Sequence, residues 1–388
     1  MLVTLDSITT KITKGTTPTS VGCTFENSGV NFIKSESLGN SRNIDRSKFA
    51  FISEQTHEKL KRSQIEKNDI LFSMAGMFLG KTGIVTDDLV PANTNQAVAI
   101  IRIDTEKANH EYVYYYLNQR SVVQAVNASS AQSAQPNINL KQIGQIEIDL
   151  PERKLQDKIV SILSAIDFKI EKNNQINENL EQQALALFSN FYDQSNTEVN
   201  FTDLIQILGG GTPKTGESMY WNGNIPFFTP KDVGTPYTLV TEKTITEDGL
   251  SHCNSRLYPV NTVFVTARGT VGKIGLAGVP MAMNQSCYAL VGKNLNQLLV
   301  YFYALKAVDR LKHKASGAVF DAIITRDFET EQIFKLSEDD TNTFIKIVEP
   351  MYQLILNNSV ENQRLIALRN SLLPKLMSGE VDLSAIQL

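Results

Sequence analysis

Residues Ala75 to Thr82 read AGMFLGKT, the spacing of a phosphate-cradling loop with Ala in its first position. A working loop of that kind follows a strand and opens a helix whose N-terminus holds phosphate. Here the next residues are Gly83-Ile84-Val85-Thr86, a strand-like run, and the similar Gly272-Lys273-Ile274-Gly275 lacks the hydroxyl. A structural turn is therefore expected. Gly209-Gly210-Gly211 runs into Thr-Pro without a dinucleotide-binding context and also reads as a turn. His252, Cys253 and Cys287 would give adjacent ligands with no fourth partner, a poor zinc site. Neither a carboxylate cluster at metal spacing nor a Pro-Pro of the methyltransferase type occurs, so catalytic residues and metal ligands are expected to be none.

What remains is hydrogen-bonding chemistry. Arg can grip guanine with two donors, Asn and Gln suit adenine, and Lys or backbone amides hold phosphate. Donors at strand ends and in loops are the candidates. In the first half these are Lys14, Lys34, Ser35, Arg42, Arg46 and Lys81; in the second they are Lys214, Thr229, Lys231, Arg256, Arg268 and Lys273. Arg310, Lys312 and Lys314 form a basic cluster better suited to phosphate than to base edges. Each of these side chains equally fits a solvated surface charge, and both readings stand. A formal net charge of −4 excludes binding of a polyanion by bulk charge and leaves local basic faces.

The elements that must hold these residues occur twice. KGTTP followed by VNFIKSESLG returns as GGGTP followed by IPFFTPKDVG, with Pro18 and Pro213 standing 195 residues apart, as do Gly39 and Gly234. NDILFSMAG pairs with NTVFVTARG, GKTG with GKIG, Asn95-Gln96 with Asn284-Gln285, and EYVYYYL with LLVYFYAL. The offset shrinks along the chain, so loops vary between kept elements. A unit this long is a duplicated domain and not a solenoid repeat. NFIKS, DILFS, TGIVT and QAVAIIRI predict strands, and PFFTP, NTVFVTA, KIGLAG and SCYALV predict their equivalents. Both aromatic runs predict helices.

From Leu155 the pattern becomes helical. Leu155, Ile159, Ile162, Ile166, Asn173, Ile176, Leu180, Leu187 and Phe191 fall near a 3-4 spacing, as do Phe344, Val348, Met351, Ile355, Asn358, Leu365, Leu368 and Leu372. Each helix should extend roughly 45 to 55 Å at about 1.5 Å per residue. The expected class is α+β: two similar mixed α/β domains, 1–150 and 194–337, separated by long helices over 151–193 and 338–388, the last with a C-terminal tail. Two such repeats related by a pseudo-two-fold axis would pack their helices as an antiparallel coiled coil. Asn173-Asn174 and Asn357-Asn358 lie near the middle of the seams. They either meet and fix register, at a cost in stability, or are exposed polar breaks.

Two differently decorated heads on a rigid spacer suit a two-part target such as DNA, where half-sites recur about 34 Å per turn apart. The motifs LRNSLLPKLMSGEVDL (Leu368 to Leu383), GGGTP with IPFFTPKDV, VFVTARGTVGKIG and LPERKLQDKIVSILSAID resemble the DNA-specificity subunit of Type I restriction-modification systems over essentially the whole chain. The first copy departs from the pattern, lacking the Trp and Pro of YWNGNIPFF. The resemblance implies two target recognition domains reading the halves of a split double-stranded DNA sequence, spaced by two conserved helices that dock two modification subunits. It implies a subunit that is not catalytic alone. S-adenosylmethionine, ATP and Mg belong to partner subunits: adenine-methylating modification subunits and restriction subunits that translocate and cleave.

A stand-alone DNA-acting enzyme with duplicated domains is the alternative, and it would need the cofactor or metal site not found above. A tandem protein- or glycan-binding module is a third reading, separable by salt-dependent DNA binding. No apolar segment could span a bilayer, the first residues lack a signal-peptide core, and the three cysteines form no CxxC pair, so a cytoplasmic protein with reduced thiols is expected.

Overall fold

A computed structural model describes residues 1–39, 41–130, 136–234, 236–314 and 322–383; the end of the expected C-terminal tail lies outside them. The chain packs as two compact units, one of Met1–Lys169 with Leu365–Leu388, the other of Ile170–Arg364. Among the described residues no helix is long and apolar enough to cross a membrane.

In the first unit one sheet runs in the order Thr9–Lys14, Val98–Ile103, Ile70–Ser73, Thr82–Ile84, all neighbours antiparallel. A second sheet runs Ala50–Ile52, Val30–Ile33, Ala92–Thr94, Gln64–Ile65, with Val30–Ile33 and Ala92–Thr94 parallel. The second unit repeats both. Ile205–Gly209, Cys287–Gly292, Val263–Thr266 and Ile274–Ala277 keep the first order and gain Tyr237–Thr238 at the edge. Lys243–Ile245, Trp221–Phe228 and Ala282–Met283 keep the second, again with one parallel pair. The central strands read as continuous apolar runs because both faces are covered: Val98–Ile101 and Val263–Val265 are fully buried. Each predicted strand is present.

The Gly-x-Thr-Pro motif of each repeat locks one strand end to its Asn-Gln turn. The Thr17 hydroxyl donates to the Gln96 side-chain oxygen, and Thr212 to Gln285. A Cβ on Gly15 would stand 2.0 Å from the Thr94 carbonyl oxygen, and one on Gly210 2.2 Å from that of Asn284, so only glycine passes at either place. Ala75–Thr82 forms the connection between two antiparallel strands, with a short 3-10 turn at Gly76–Phe78 and no helix opening after it. That is the structural turn expected, and no phosphate cradle.

The aromatic runs are helical over His110–Leu117, which Asn109 caps with hydrogen bonds from Glu111 N at 2.9 Å and Tyr112 N at 3.4 Å, and over Gln297–Lys314. The two long helices span Arg153–Gln194 (42 residues) and Glu338–Met377 (40 residues), about 60 Å each at 1.5 Å per residue. They exceed the roughly 45 to 55 Å expected at that rise, yet fall inside the expected bounds 151–193 and 338–388 to within one residue. Ser337 and Asp340 exchange bonds at the start of the second, the Asp340 N–H lying 3.1 Å from Ser337 Oγ; Gly379 in the left-handed region (φ 74°) ends it.

The helices pack as an antiparallel coiled coil. In the second unit Asn173 Nδ2 donates to Asn362 Oδ1 at 2.9 Å and to Glu361 Oε2 at 2.8 Å, while Asn358 Nδ2 donates to Asn177 Oδ1 at 2.8 Å. Partners advance four residues on one helix and retreat four on the other. In the first unit Arg369 meets Asp167 at 2.7 Å, and the Tyr115 hydroxyl donates to the same carboxylate at 2.7 Å.

The seam differs from its sequence reading in detail. Ile176 and Leu368, placed on it by spacing, are 44% and 46% exposed, whereas Leu163, Ala184, Phe188 and Tyr192 are buried. Each helix packs on a sheet domain as well as on its partner helix, so the buried stripe follows three-way packing and not a strict heptad. The asparagines differ likewise. Asn173 and Asn358 are buried, but each bonds a residue one turn away from the expected partner pair; Asn174 accepts from Asn362 at 2.8 Å, and exposed Asn357 accepts from Gln353 on its own helix. A buried polar rung in an apolar seam specifies register at a cost in stability. Replacing Asn173 and Asn362 together by Leu is expected to raise the melting temperature by a few degrees, since about 1 kcal/mol corresponds to roughly 2–4 °C here. An unchanged or lowered melting temperature would show the rung to be stabilising.

Candidate nucleic-acid interface

In the second unit three loops close around a groove of about 480 Å3. The first follows strand Trp221–Phe228. There Asp232 Oδ2 accepts from the Thr229 N–H at 2.8 Å and the Thr229 hydroxyl at 2.6 Å, while Oδ1 accepts from Glu242 N at 2.7 Å. This one carboxylate shapes the Thr229-Pro230-Lys231 turn. The second loop is the hairpin between Val263–Thr266 and Ile274–Ala277, where the Thr266 hydroxyl accepts from Lys273 N at 2.9 Å and donates to the Thr270 carbonyl. Gly269 and Gly272, at φ 81° and 74°, let it turn so tightly. The third is the Asn-Gln turn, where Asn284 Oδ1 accepts from Ser286 N at 3.0 Å.

The groove thus gathers Thr229, Lys231 and Arg268 from the sequence candidates and adds Lys243, Glu242 and Asn284. Lys243 Nζ lies 5.6 Å from the Trp221 ring centroid, a cation–π contact that holds it beside the groove. Lys231 is 81% exposed, with its ammonium 3.8 Å from Glu242. Lys243 sits in a short β-branched run, LVTEKTITE, which nothing in the sequence joins to the groove. Asn284-Gln285 was visible as a repeat, but its position in the groove wall depends on the fold.

The remaining candidates are dispersed. Lys273 immediately precedes the strand Ile274–Ala277, Lys214 is exposed and gives its carbonyl to Trp221 Nε1 at 3.2 Å, and exposed Arg256 hydrogen-bonds the Tyr258 hydroxyl. Arg310 and Lys314 turn to buried Glu331, at 3.8 and 2.5 Å, and Arg310 also donates to the Gln332 carbonyl at 2.8 Å. Lys312 is exposed like Lys314, with its chain packed where a Gly272 Cβ would be.

In the first unit exposed Lys14 ends a half-buried edge strand and Ser35 opens a short 3-10 turn. Lys34 lies 3.7 Å from Glu36 and 5.5 Å from the Phe25 ring centroid. Arg42 is paired with Glu111 and Arg46 with Asp88, while Lys81 is half-buried at the base of its hairpin. Burial pushes the Cys287 thiol up to about 12, so it stays protonated. Among the described residues no group of three or more His, Cys, Asp or Glu side chains could hold a metal ion.

This scaffold of paired sheets, built twice and joined to long helices, corresponds to a described family. The profile of the Type I restriction modification DNA specificity domain matches residues 1–182 and again 194–368. The chain belongs to this family.

As a Type I specificity subunit it is 22% identical over 403 residues to the HindI specificity subunit of Haemophilus influenzae, covering 82% of this chain and 88% of that one. It is 27% identical over 308 residues to the EcoR124I/EcoR124II specificity subunit of Escherichia coli, covering 71% and 74%. The crystal structure of a Type I restriction-modification S subunit from M. genitalium superposes with a TM-score of 0.60 at 15% identity, over 97% of this chain and 95% of that one. At that identity the likeness speaks for the fold. Specificity subunits of this kind bind DNA and act with other subunits in a complex.

Proposed function

We propose that this subunit reads a split, asymmetric double-stranded DNA target, each sheet domain engaging one half, with the two long helices setting the separation and docking modification subunits. The observation that carries the reading is that both units keep the same strand order and the same Thr–Gln lock while the side chains on the intervening loops differ. A shared scaffold with unlike loops suits two unlike half-sites. Apolar residues left exposed on the helices, Ile176, Ile347, Leu354 and Leu368, suit a docking role. Methylation of adenine, with S-adenosylmethionine, and ATP- and Mg-dependent translocation and cleavage belong in this reading to the partner subunits, and the domains divide at 1–150, 151–193, 194–337 and 338–388.

The test exchanges residues 200–335 for the corresponding domain of a relative and maps the modified bases in cells carrying the assembled complex. One half of the modified motif should change while the other half and the spacer stay. A motif unchanged by the exchange would refute the reading.

A further inference from the structure

We infer that Arg268 reads a guanine in the half-site bound by the second unit, and that the equivalent place in the first unit reads no base by such donors. The inference rests on the DNA-specificity reading above and names the chemistry of one position within it.

Arg268 stands at the mouth of the hairpin, where Ala267 N donates to the Ser286 carbonyl at 2.8 Å and Ile323 N to the Ala267 carbonyl at 2.9 Å. The backbone at its base is therefore fixed on both sides. Its side chain is exposed, lines the groove, and makes no ion pair or side-chain hydrogen bond among the described residues. The other candidate arginines are engaged: Arg42 and Arg46 are held by carboxylates, Arg310 by a carbonyl and a carboxylate, and Arg256 by the Tyr258 hydroxyl. An anchored backbone with a free planar fork is what two parallel bonds to guanine O6 and N7 need. Lys231 and Lys243 flank it with point charges suited to the phosphates on either side. Glu242, which shares the groove, supplies an acceptor of the kind that suits the cytosine amino group of the same pair.

The repeat gives an internal comparison. Met74 N donates to the Ala97 carbonyl at 2.8 Å and Ile138 N to the Met74 carbonyl at 2.9 Å, matching the bonds made by Ala267. On that matched frame Ala75 replaces Arg268, Met77 follows Gly76 as Thr270 follows Gly269, Glu36 replaces Lys231 and Ala97 replaces Ser286. Met77 is 87% exposed. The donor fork of one unit is thus an apolar tip in the other, so the same frame serves opposite chemistries.

The test uses the full chain assembled with its modification subunits, mapping modified bases after expression with the wild type, Arg268→Ala or Arg268→Lys, and sequencing duplexes selected by each complex from a randomised library. The wild type should prefer guanine by about 10- to 100-fold at one position of the second half-site. Arg268→Ala should lose that preference and keep the first half and the spacer; Arg268→Lys should keep part of it. Uniform weakening without change of motif would assign Arg268 to phosphate and overturn the inference, as would an unchanged motif. Loss of selection for every duplex with both variants would also overturn it. A wild-type complex that selects no split motif would instead remove the underlying DNA-specificity reading.

Discussion

Replacing Arg102 by Met is expected to lower the stability of the first unit by about 3–5 kcal/mol, the cost of stranding a buried carboxylate. Asp69 is fully buried between strands, and Arg102 reaches it with two bonds, Nε to Oδ1 and Nη2 to Oδ2, both at 2.8 Å. Nη1 extends the pair to Glu66 at 2.5 Å, and the Glu66 N–H donates to Asp69 Oδ2 at 2.7 Å. The hydrogen bond and charge of Asp69 raise the guanidinium pKa against the opposing effect of burial, so the cation persists at every accessible pH. Without it, the buried Asp69 carboxylate loses its two guanidinium bonds. At roughly 2–4 °C per kcal/mol, the melting transition of the first unit should fall by about 10 °C. The double variant Asp69→Asn with Arg102→Met retains the acceptor for Glu66 and removes the charge, so it should lose less than the single one. Equal losses in calorimetry would show that packing, not the orphaned charge, carries the effect.

Phe188→Ala should cost the second unit a similar 3–5 kcal/mol by leaving a cavity where an aromatic ring was. Phe188 is 1% exposed, with its ring centroid 5.1 Å from Phe302, 5.4 Å from Tyr192, 5.5 Å from Phe344 and 5.7 Å from Tyr303. It therefore joins the first long helix, the second long helix and the helix Gln297–Lys314 in one cluster. Phe188→Leu should recover most of the loss, and Leu354→Ala, at a site 44% exposed on the second long helix, should change stability by under about 1 kcal/mol. Urea titration reads all three; a Phe188→Ala midpoint no lower than that of Leu354→Ala would refute the assignment.

Much of this architecture was readable in the residues, for physical reasons. Strands such as Val263–Thr266 combine β-branched and aromatic residues between Gly and Asn, and their repetition 193 residues after Ile70–Ser73 gave a second, independent reading. The matched Thr and Gln were visible as motifs, but that they hydrogen-bond to each other was not. The groove was half legible: Thr229, Lys231 and Arg268 flank variable connections, whereas Lys243 enters from a strand whose sheet position depends on tertiary pairing. The helical seam was misread at Ile176 because a heptad assumes one packing partner and this helix has two. Asp69 and Glu331 were passed over since burial of a carboxylate depends on where a distant donor ends up.

The first unit draws on residues from both ends of the chain. Its core includes Leu372, Leu373, Leu376, Met377 and Leu383, and Lys158 Nζ donates to the Leu383 carbonyl at 3.0 Å. During synthesis these residues emerge only after the whole of the second unit has been made. The part of the first unit's core that these residues complete is therefore closed last, after Ile159, Val160 and Leu163 of the first long helix are already available to pack on it.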